Sequence, residues 1–581
     1  MSQQQQQQQP EQQQKQKRQK TAINEYTGFI IDSSAQAVDT INTKDITAQH
    51  FFDEYIKPRK PVKIVGEGVV PLEKFKFDKI LQTLGHDEKD KEDGENREED
   101  EEEEEEDEEK LQVERLYDGG FGSGQKRVHM TMKELMEKLG DNTEESYYLT
   151  TQYKEHDIEG VDENQWVDSE DNEDEDEDGD EEENVDLEKE KEEDKGEPLD
   201  AGSELDGFSE TDSINMNDLH DDYDDFDNLD DDDDDDKDDK ELSPSTELCL
   251  EEALERVKEL YQPPLSKLVN DATTLPLNPS FIPKLIPQQI NLWMGKTKPL
   301  HKFHIDKSSK PLTHMDRLIP KGSSSGLHHD HADNLYILVQ GRKRFTIYSP
   351  ADALKLYTCG KIYKIFHNGM IDYEQGENGW MSIRDDGAII EDVLRWKAEH
   401  QEEAEEEEEE EKREKELEKI LAKSLEKESG KVHKSNGGEE QFGADSAKKE
   451  DPPSFSKVPP ALLHLDEMDL ETRIRVEQFA ETYFPGVLEL NKMEVWLDPG
   501  EMLYLPAGWF HEVSSFGSGS GSGSDKKSQT PGDDVHIALN YWFIPPNGDS
   551  FDKSYKDGYW SDDWKVTKEA LELVQKENRK Y

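Results

Sequence analysis

The distribution of charge constrains this chain more than any other feature of its sequence. Asp and Glu number 141 against 70 Lys and Arg, a formal net charge of −71 over 581 residues. Spread evenly, that excess would argue against a packed core. It is concentrated instead. Residues 86–110 hold 18 acids and 4 bases, residues 161–241 hold 43 and 5, and residues 399–450 hold 19 and 10. These tracts account for −61 of the charge, which leaves a remainder as apolar as an ordinary globular domain. One folded unit with charged inserts is expected. The tract over 163–242 cannot bury enough apolar surface to offset its ordering entropy, so it is expected to be disordered. It is either a solvated spacer or a mimic of nucleic-acid charge that docks basic partners such as histone, ribosomal or translation proteins.

Two cysteines, Cys249 and Cys359, are too few for a disulfide framework or a Cys-rich zinc module and point to a reducing, intracellular compartment. No apolar run approaches the roughly 20 residues of a membrane span, and the Gln-rich start lacks an apolar secretion segment. Lys15, Lys17, Arg18 and Lys20 form a short basic cluster compatible with nuclear import. Nucleus and cytoplasm both stay open.

Residues 1–20 are a low-complexity tail, expected to be disordered. An amphipathic helix ending at Pro58 leads into a strand at Val62–Val65, and Thr131 caps a helix running to Leu139. SYYLTTQY (146–153) reads as a strand, LCLEEALERVKELY as a helix and INLWMG as a strand. After a charged insert (398–457), Glu-rich over 399–429 and reading as linker over 430–457, come the helix MDLETRIRVEQFAETYF and strands at MEVWLD, EMLYLPA and HIALNYWFIPP, with a Gly/Ser loop over 516–535. Many short strands with turn signals and few long helices in the second half indicate a mainly β fold, a β-sandwich or a jelly roll, with flanking helices.

Three His-x-Asp triplets occur: His304/Asp306, His314/Asp316 and His328/Asp330. On a strand, positions i and i+2 share a face, so each offers an imidazole and a carboxylate to one metal. Two His and one carboxylate with open positions opposite describe a non-haem Fe(II) oxygenase site, so a third ligand is needed. The first two triplets read as loop polar residues. His329 and His331 should point away from the ligands, to the surface or to a supporting position. Trp496, Trp509, Tyr541 and Trp542 read as core rather than as a substrate cage.

SGLHHDHADNLYILVQGRKRFTIYSP resembles the metal-binding strand of JmjC hydroxylases, including the asparaginyl hydroxylase that inhibits hypoxia-inducible factor. GEMLYLPAGWFHEV (500–513) is similar to that family's distal histidine strand, and VHIALNYWF to the strand that returns past the cofactor. The resemblance covers roughly 22–85, 111–162, 243–397 and 456–560. It implies a double-stranded β-helix, with residues 21–162 wrapping a catalytic core over 243–560 and a C-terminal helix at 561–581. It implies Fe(II) held by His328, Asp330 and His511, with 2-oxoglutarate and O2 as cosubstrates. Lys343 matches the lysine that pairs with the distal carboxylate of 2-oxoglutarate. Ser325 falls where a hydroxyl often reaches that carboxylate, and Asn334 and Asn540 match polar residues lining the pocket. The segment between Trp293 and Ser325 departs from the family spacing, so the tyrosine expected on the preceding strand has no assignment.

The implied activity is hydroxylation of a protein side chain with release of succinate and CO2. N-methyl-lysine (histone) demethylation is the alternative, as is a silent cupin-like protein that binds basic partners through its acidic tracts. A cupin sugar isomerase fits less well, because such sites present more histidines. The helix KEALELVQKENRKY could pair with a second copy, so a homodimer is possible.

Overall fold

Side-chain alternation organises the barrel. In strand β10 (Asp333–Gln340) the residues Leu335, Ile337 and Val339 join one apolar cluster while Tyr336 and Leu338 join another. A strand buried on both faces reads as continuous apolar sequence, as NLYILV does. The structure is a computed structural model that describes residues 22–32, 37–85, 109–115, 127–141, 146–152, 248–296, 317–374, 380–400, 451–517, 532 and 534–578. The acidic tracts and the tail 1–20 lie outside the described residues, apart from short flanking stretches.

In chain order the remaining strands are β1 (Ile23–Asn24), β2 (Asp39–Asn42), β3 (Val62–Val65), β4 (Leu111–Arg115), β5 (Arg127–Met130), β6 (Tyr147–Leu149), β7 (Pro287–Lys296), β8 (Ser323–Ser324), β9 (His328–His329), β11 (Arg342–Tyr348), β12 (Ile362–Ile365), β13 (Ile371–Tyr373), β14 (Met493–Leu497), β15 (Met502–Leu505), β16 (Phe510–Phe516) and β17 (Val535–Phe543). A nine-stranded sheet runs β2-β3-β15-β10-β17-β7-β6-β4-β5. A five-stranded sheet runs β14-β11-β16-β8, with β9 also on β16. The chain passes from one sheet to the other at β9 to β10, β10 to β11, β14 to β15, β15 to β16 and β16 to β17. That is the winding of a double-stranded β-helix. A small sheet, β1-β12-β13, completes the set.

Between the sheets lie Tyr336, Leu338, Phe345, Ile347, Val495, Leu503, Val513 and Ala538. The outer face of the large sheet is covered by the helical turns at 48–56 and by the helices Leu250–Leu260 and Tyr559–Asn578. The N-terminal region does more than wrap the barrel. β2 and β3 extend the large sheet beyond β15, and β4, β5 and β6 extend it beyond β7. Exposed strand edges demand partners, and these segments supply them. Thr131 closes a capping box with Glu134 at the start of the helix Met132–Gly140. The C-terminal helix buries Trp560, Ala570, Leu571 and Val574 in its own chain, and Arg256 donates to Thr567 at 2.9 Å and pairs with Asp563. Residues 451–457, expected to be linker, instead pair with the strand carrying His328, through a bridge between His328 and Phe455.

One buried ion pair ties these parts together. Both terminal nitrogens of Arg59 donate to the carboxylate of Asp333, one at 2.9 Å, and both side chains are almost fully buried. Asp333 also accepts from Tyr504 Oη at 2.6 Å and from the Ala507 amide at 2.9 Å. Arg59 Nε donates to the Asn368 carbonyl, and Trp509 Nε1 donates to the Arg59 carbonyl. Removing one partner strands the other charge in the interior. Arg59→Ala should therefore lower unfolding free energy by about 3–5 kcal/mol in urea denaturation. A loss below about 1 kcal/mol would show that the pair does not carry this junction.

Candidate metal centre

The pairing of β9 with β16 sets His328 opposite His511 in antiparallel register. Asp330 follows in the crossover to β10. Gly508 closes this corner from the other side. Its φ is +78°, its N–H donates to the Asp330 carbonyl at 2.9 Å, and a Cβ there would collide with the Gly369 carbonyl.

One ligand atom from each of His328, Asp330 and His511 lies within 4.8 Å of the others. Nε2 of His328 is 4.0 Å from Asp330 Oδ1, and Nε2 of His511 is 3.7 Å from Asp330 Oδ2. Nδ1 of His328 sits 3.0 Å from the Gly326 carbonyl, and Nδ1 of His511 sits 3.0 Å from the Trp509 carbonyl. A carbonyl only accepts, so each Nδ1 carries the proton and each Nε2 turns its lone pair to the common centre. Burial, then the neighbouring His511, hold the His328 pKa well below the usual imidazole value. That keeps its ring in the neutral, metal-binding form. The ring also stacks on Phe455, 4.8 Å between centroids and 9° from parallel. Two anchored imidazoles and a carboxyl group fit a divalent transition metal with positions left open. His328 and Asp330 keep 13% and 11% of their side chains exposed against 4% for His511, so the centre opens on the His328 and Asp330 side.

A relay of amides supports the carboxylate. Asn291 donates to Asn540 at 3.2 Å, Asn540 donates to Asn334 at 2.7 Å, and Asn334 donates to Asp330 Oδ2 at 3.1 Å. Asn334 and Asn540 thus act on a candidate ligand as well as lining the interior, and Asn291 is an addition to the residues picked from sequence. It belongs to INLWMG, where nothing marks it apart from its strand.

Lys343 lies at the other end of the barrel, fully buried on β11. Ile347, Phe345 and Lys343 pair with His511, Val513 and Ser515 of β16, all facing inward. Lys343 Nζ donates to Ser515 Oγ at 2.5 Å and to Tyr148 Oη at 3.1 Å. Burial lowers the lysine pKa, while Glu512 acts to raise it. The hydroxyl reading for Ser325 meets a different arrangement. Ser325 Oγ donates to the Gly326 carbonyl at 2.9 Å and accepts from the Val513 amide at 3.0 Å, fixing the turn before His328. Tyr148 and Ser515 take the place by Lys343. Ser515 was legible, because it shares the face of His511 four residues on. Tyr148 was not, since choosing it over Tyr147 needs the register of β6.

His329 and His331 point away from the centre and are buried, so the surface reading is replaced by a packed one. His329 Nε2 lies 2.6 Å from Tyr373 Oη, and His331 Nε2 lies 3.2 Å from the Ile371 carbonyl. Trp509 and Tyr541 are core, whereas Trp496 is half-buried on the outer face under Arg342 and Arg344. His304, Asp306, His314 and Asp316 lie outside the described residues. No helix among the described residues is long and apolar enough to cross a membrane.

Outer contacts to metal ligands typically matter by 10–100-fold in affinity. Asn334→Leu should weaken Mn(II) binding by about that factor while leaving the thermal midpoint within a few degrees. Unchanged affinity in a titration of the folded variant would remove the relay from the account.

A family model for a cupin-like domain matches residues 163–549. JmjC domain-containing protein 4 of Schizosaccharomyces pombe is 31% identical over 364 residues, which span 56% of this chain and 68% of that protein. With the double-stranded β-helix and its His-Asp-His cluster in view, the conclusion is that this chain belongs to the cupin-like, JmjC-domain family.

Proposed function

We propose that this chain is an Fe(II)- and 2-oxoglutarate-dependent oxygenase that hydroxylates a protein side chain. One observation carries the reading. The His328, Asp330 and His511 cluster and the buried Lys343 stand on inward faces at opposite ends of one barrel, where a short dicarboxylate would span them. When bound, Fe(II) with 2-oxoglutarate and O2 supplies the oxidation, and succinate and CO2 leave. The residues of the chain bind, orient and seal. Lys343, Tyr148 and Ser515 would hold the distal carboxylate, which needs a cation once it is out of water. The two Nδ1 anchors keep the imidazoles aimed, and the amide relay keeps Asp330 from turning. Tyr336 and Phe345, 5.1 Å apart edge to face, exclude water between the two ends. Hydroxylation is preferred to demethylation because the metal-binding strand resembles the small hydroxylase branch.

Anaerobic Fe(II) and 2-oxoglutarate should give a visible metal-to-ligand charge-transfer band that disappears in His328→Ala and His511→Ala. A folded wild-type chain that takes up no iron and shows no band sinks the oxygenase reading.

Charge balance adds a pH signature. Fe(II), one carboxylate and a dianion sum to a single negative charge, which a protonated Lys343 cancels. Burial lowers the pKa of Lys343 in the empty barrel, and an arriving carboxylate raises it again, so binding takes up a proton. Affinity for 2-oxoglutarate is therefore complete at low pH and declines as pH rises through the lysine titration. Lys343→Met should weaken binding by about 100-fold, roughly 3 kcal/mol, and flatten that decline. Calorimetric titration of the Mn(II)-loaded protein checks both; a flat wild-type profile counts against the role of Lys343.

A further inference from the structure

The inward residues of β10, β17 and β7 fall into rows. Register pairs Asn334 with Trp542 and Trp542 with Gln289; the next row is Tyr336, Asn540 and Asn291, and the next Leu338, Ala538 and Trp293. The bond between Asn291 and Asn540 shows that this face of β7 and β17 looks inward, so Gln289 and Trp542, two residues away on their strands, look inward as well. The third row lies toward Lys343, since Trp293 packs against Tyr148 at 6.1 Å. The first row lies at the metal centre, since Asn334 bonds to Asp330.

That first row contains a mismatch. Gln289 Oε1 and Trp542 Nε1 are both buried with no hydrogen-bond partner among the described residues. One is an acceptor and the other a donor that can never accept. An unpartnered buried polar group costs about 1–3 kcal/mol, and two of opposite polarity side by side define a complement. The complement is a group that accepts from Trp542 Nε1 and donates to Gln289 Oε1, and an amide offers its carbonyl to the first and its N–H to the second. A carboxylate satisfies only the indole, and an alkyl group satisfies neither. The residues keep 5% and 6% of their surface exposed and the two polar atoms are buried, so an entering amide must turn the Gln289 carboxamide and the ring to reach them. Trp542 also belongs to none of the apolar clusters that claim its neighbours Tyr541 and Phe543.

We infer that Gln289 and Trp542 form a substrate-recognition pair that grips an amide group beside the metal centre. The substrate class is thus a polypeptide that presents either a main-chain amide or an Asn or Gln carboxamide next to the oxidised carbon. The inference rests on the oxygenase reading for its meaning as substrate recognition, but the pair itself is testable without turnover.

The full-length chain, labelled with 15N-tryptophan and loaded with Zn(II) and 2-oxoglutarate, is titrated with propionamide, N-methylacetamide and N,N-dimethylacetamide. Trp542→Phe assigns the Trp542 indole resonance. That resonance should move saturably with the amides that carry an N–H, and N,N-dimethylacetamide should bind about tenfold more weakly. Tighter propionamide indicates a side-chain carboxamide, and tighter N-methylacetamide a main-chain amide. Gln289→Leu should erase the discrimination. Equal affinity for all three amides in the wild type overturns the pair, as does a stationary indole resonance. The Fe(II) charge-transfer band is recorded on the same preparations. A band with a stationary indole rejects the amide site alone, whereas a moving indole with no band supports the amide site and rejects the oxygenase reading.

Discussion

The junction built on Arg59 and Asp333 is the constraint from which the rest of the barrel takes its position. Asp333 opens β10, three residues after Asp330, and its carboxylate gathers Tyr504 of β15 and the Ala507 amide in the loop that leads to His511. Arg59 brings in the segment before β3 and the turn at Asn368. A buried ion pair is weak evidence for net stability, because desolvation offsets much of its attraction. It has a sharper effect on register. A one-residue slip of β10 would remove Asp333 from Arg59 and send the inward residues outward, so the pair admits one alignment of the two segments that carry the candidate ligands.

Within that alignment, the centre sits where the chain crosses between sheets. His328 and His511 come from the five-stranded sheet, Asp330 from the crossover, and the relay behind Asp330 from three neighbouring strands of the nine-stranded sheet. Both walls therefore contribute to one cluster. Relative motion of the sheets would be felt first as a change in distance between an imidazole and the carboxylate. The relay resists this, since its directed bonds end on an acceptor-only group and cannot reverse while Asp330 is ionised.

Much of this was legible in the sequence, for a physical reason. His328 and Asp330 sit in a short polar run before a long apolar strand, and His511 follows a Pro-x-Gly corner. The elements around them carry strong continuous-apolar or capped-helix signals, as at NLYILV and Thr131. What stayed hidden depends on register between segments distant in sequence. Tyr148 reaches Lys343 across 195 residues, and no local pattern separates it from Tyr147. Ser325 has the right spacing, but the left-handed Gly326 beside it, at φ +77°, turns the chain so that its hydroxyl serves the backbone. Residues 451–457 looked like linker because proline, serine and lysine dominate them, yet they find an open strand edge at His328.

Strand β16 shows why the reverse side of the site was hard to read. His511, Val513 and Ser515 face the barrel, and the intervening Glu512 and Ser514 are also buried, so the strand is polar on both faces. The outer side is satisfied by its own network. Glu512 accepts from Ser324 at 2.6 Å and bonds to His464 at 3.0 Å, while Arg344 binds Ser514 and Glu467. Burial alone would raise the Glu512 pKa, but the bonds from His464 and Ser324 and the Arg344 charge bring it below the usual carboxylate value. An ionised Glu512 therefore lies behind the strand that presents His511, and it acts to raise the pKa of Lys343 on the other side of the sheet. An anion outside the barrel thus acts on the lysine amine at its deep end, so the two polar faces of β16 form one electrostatic unit.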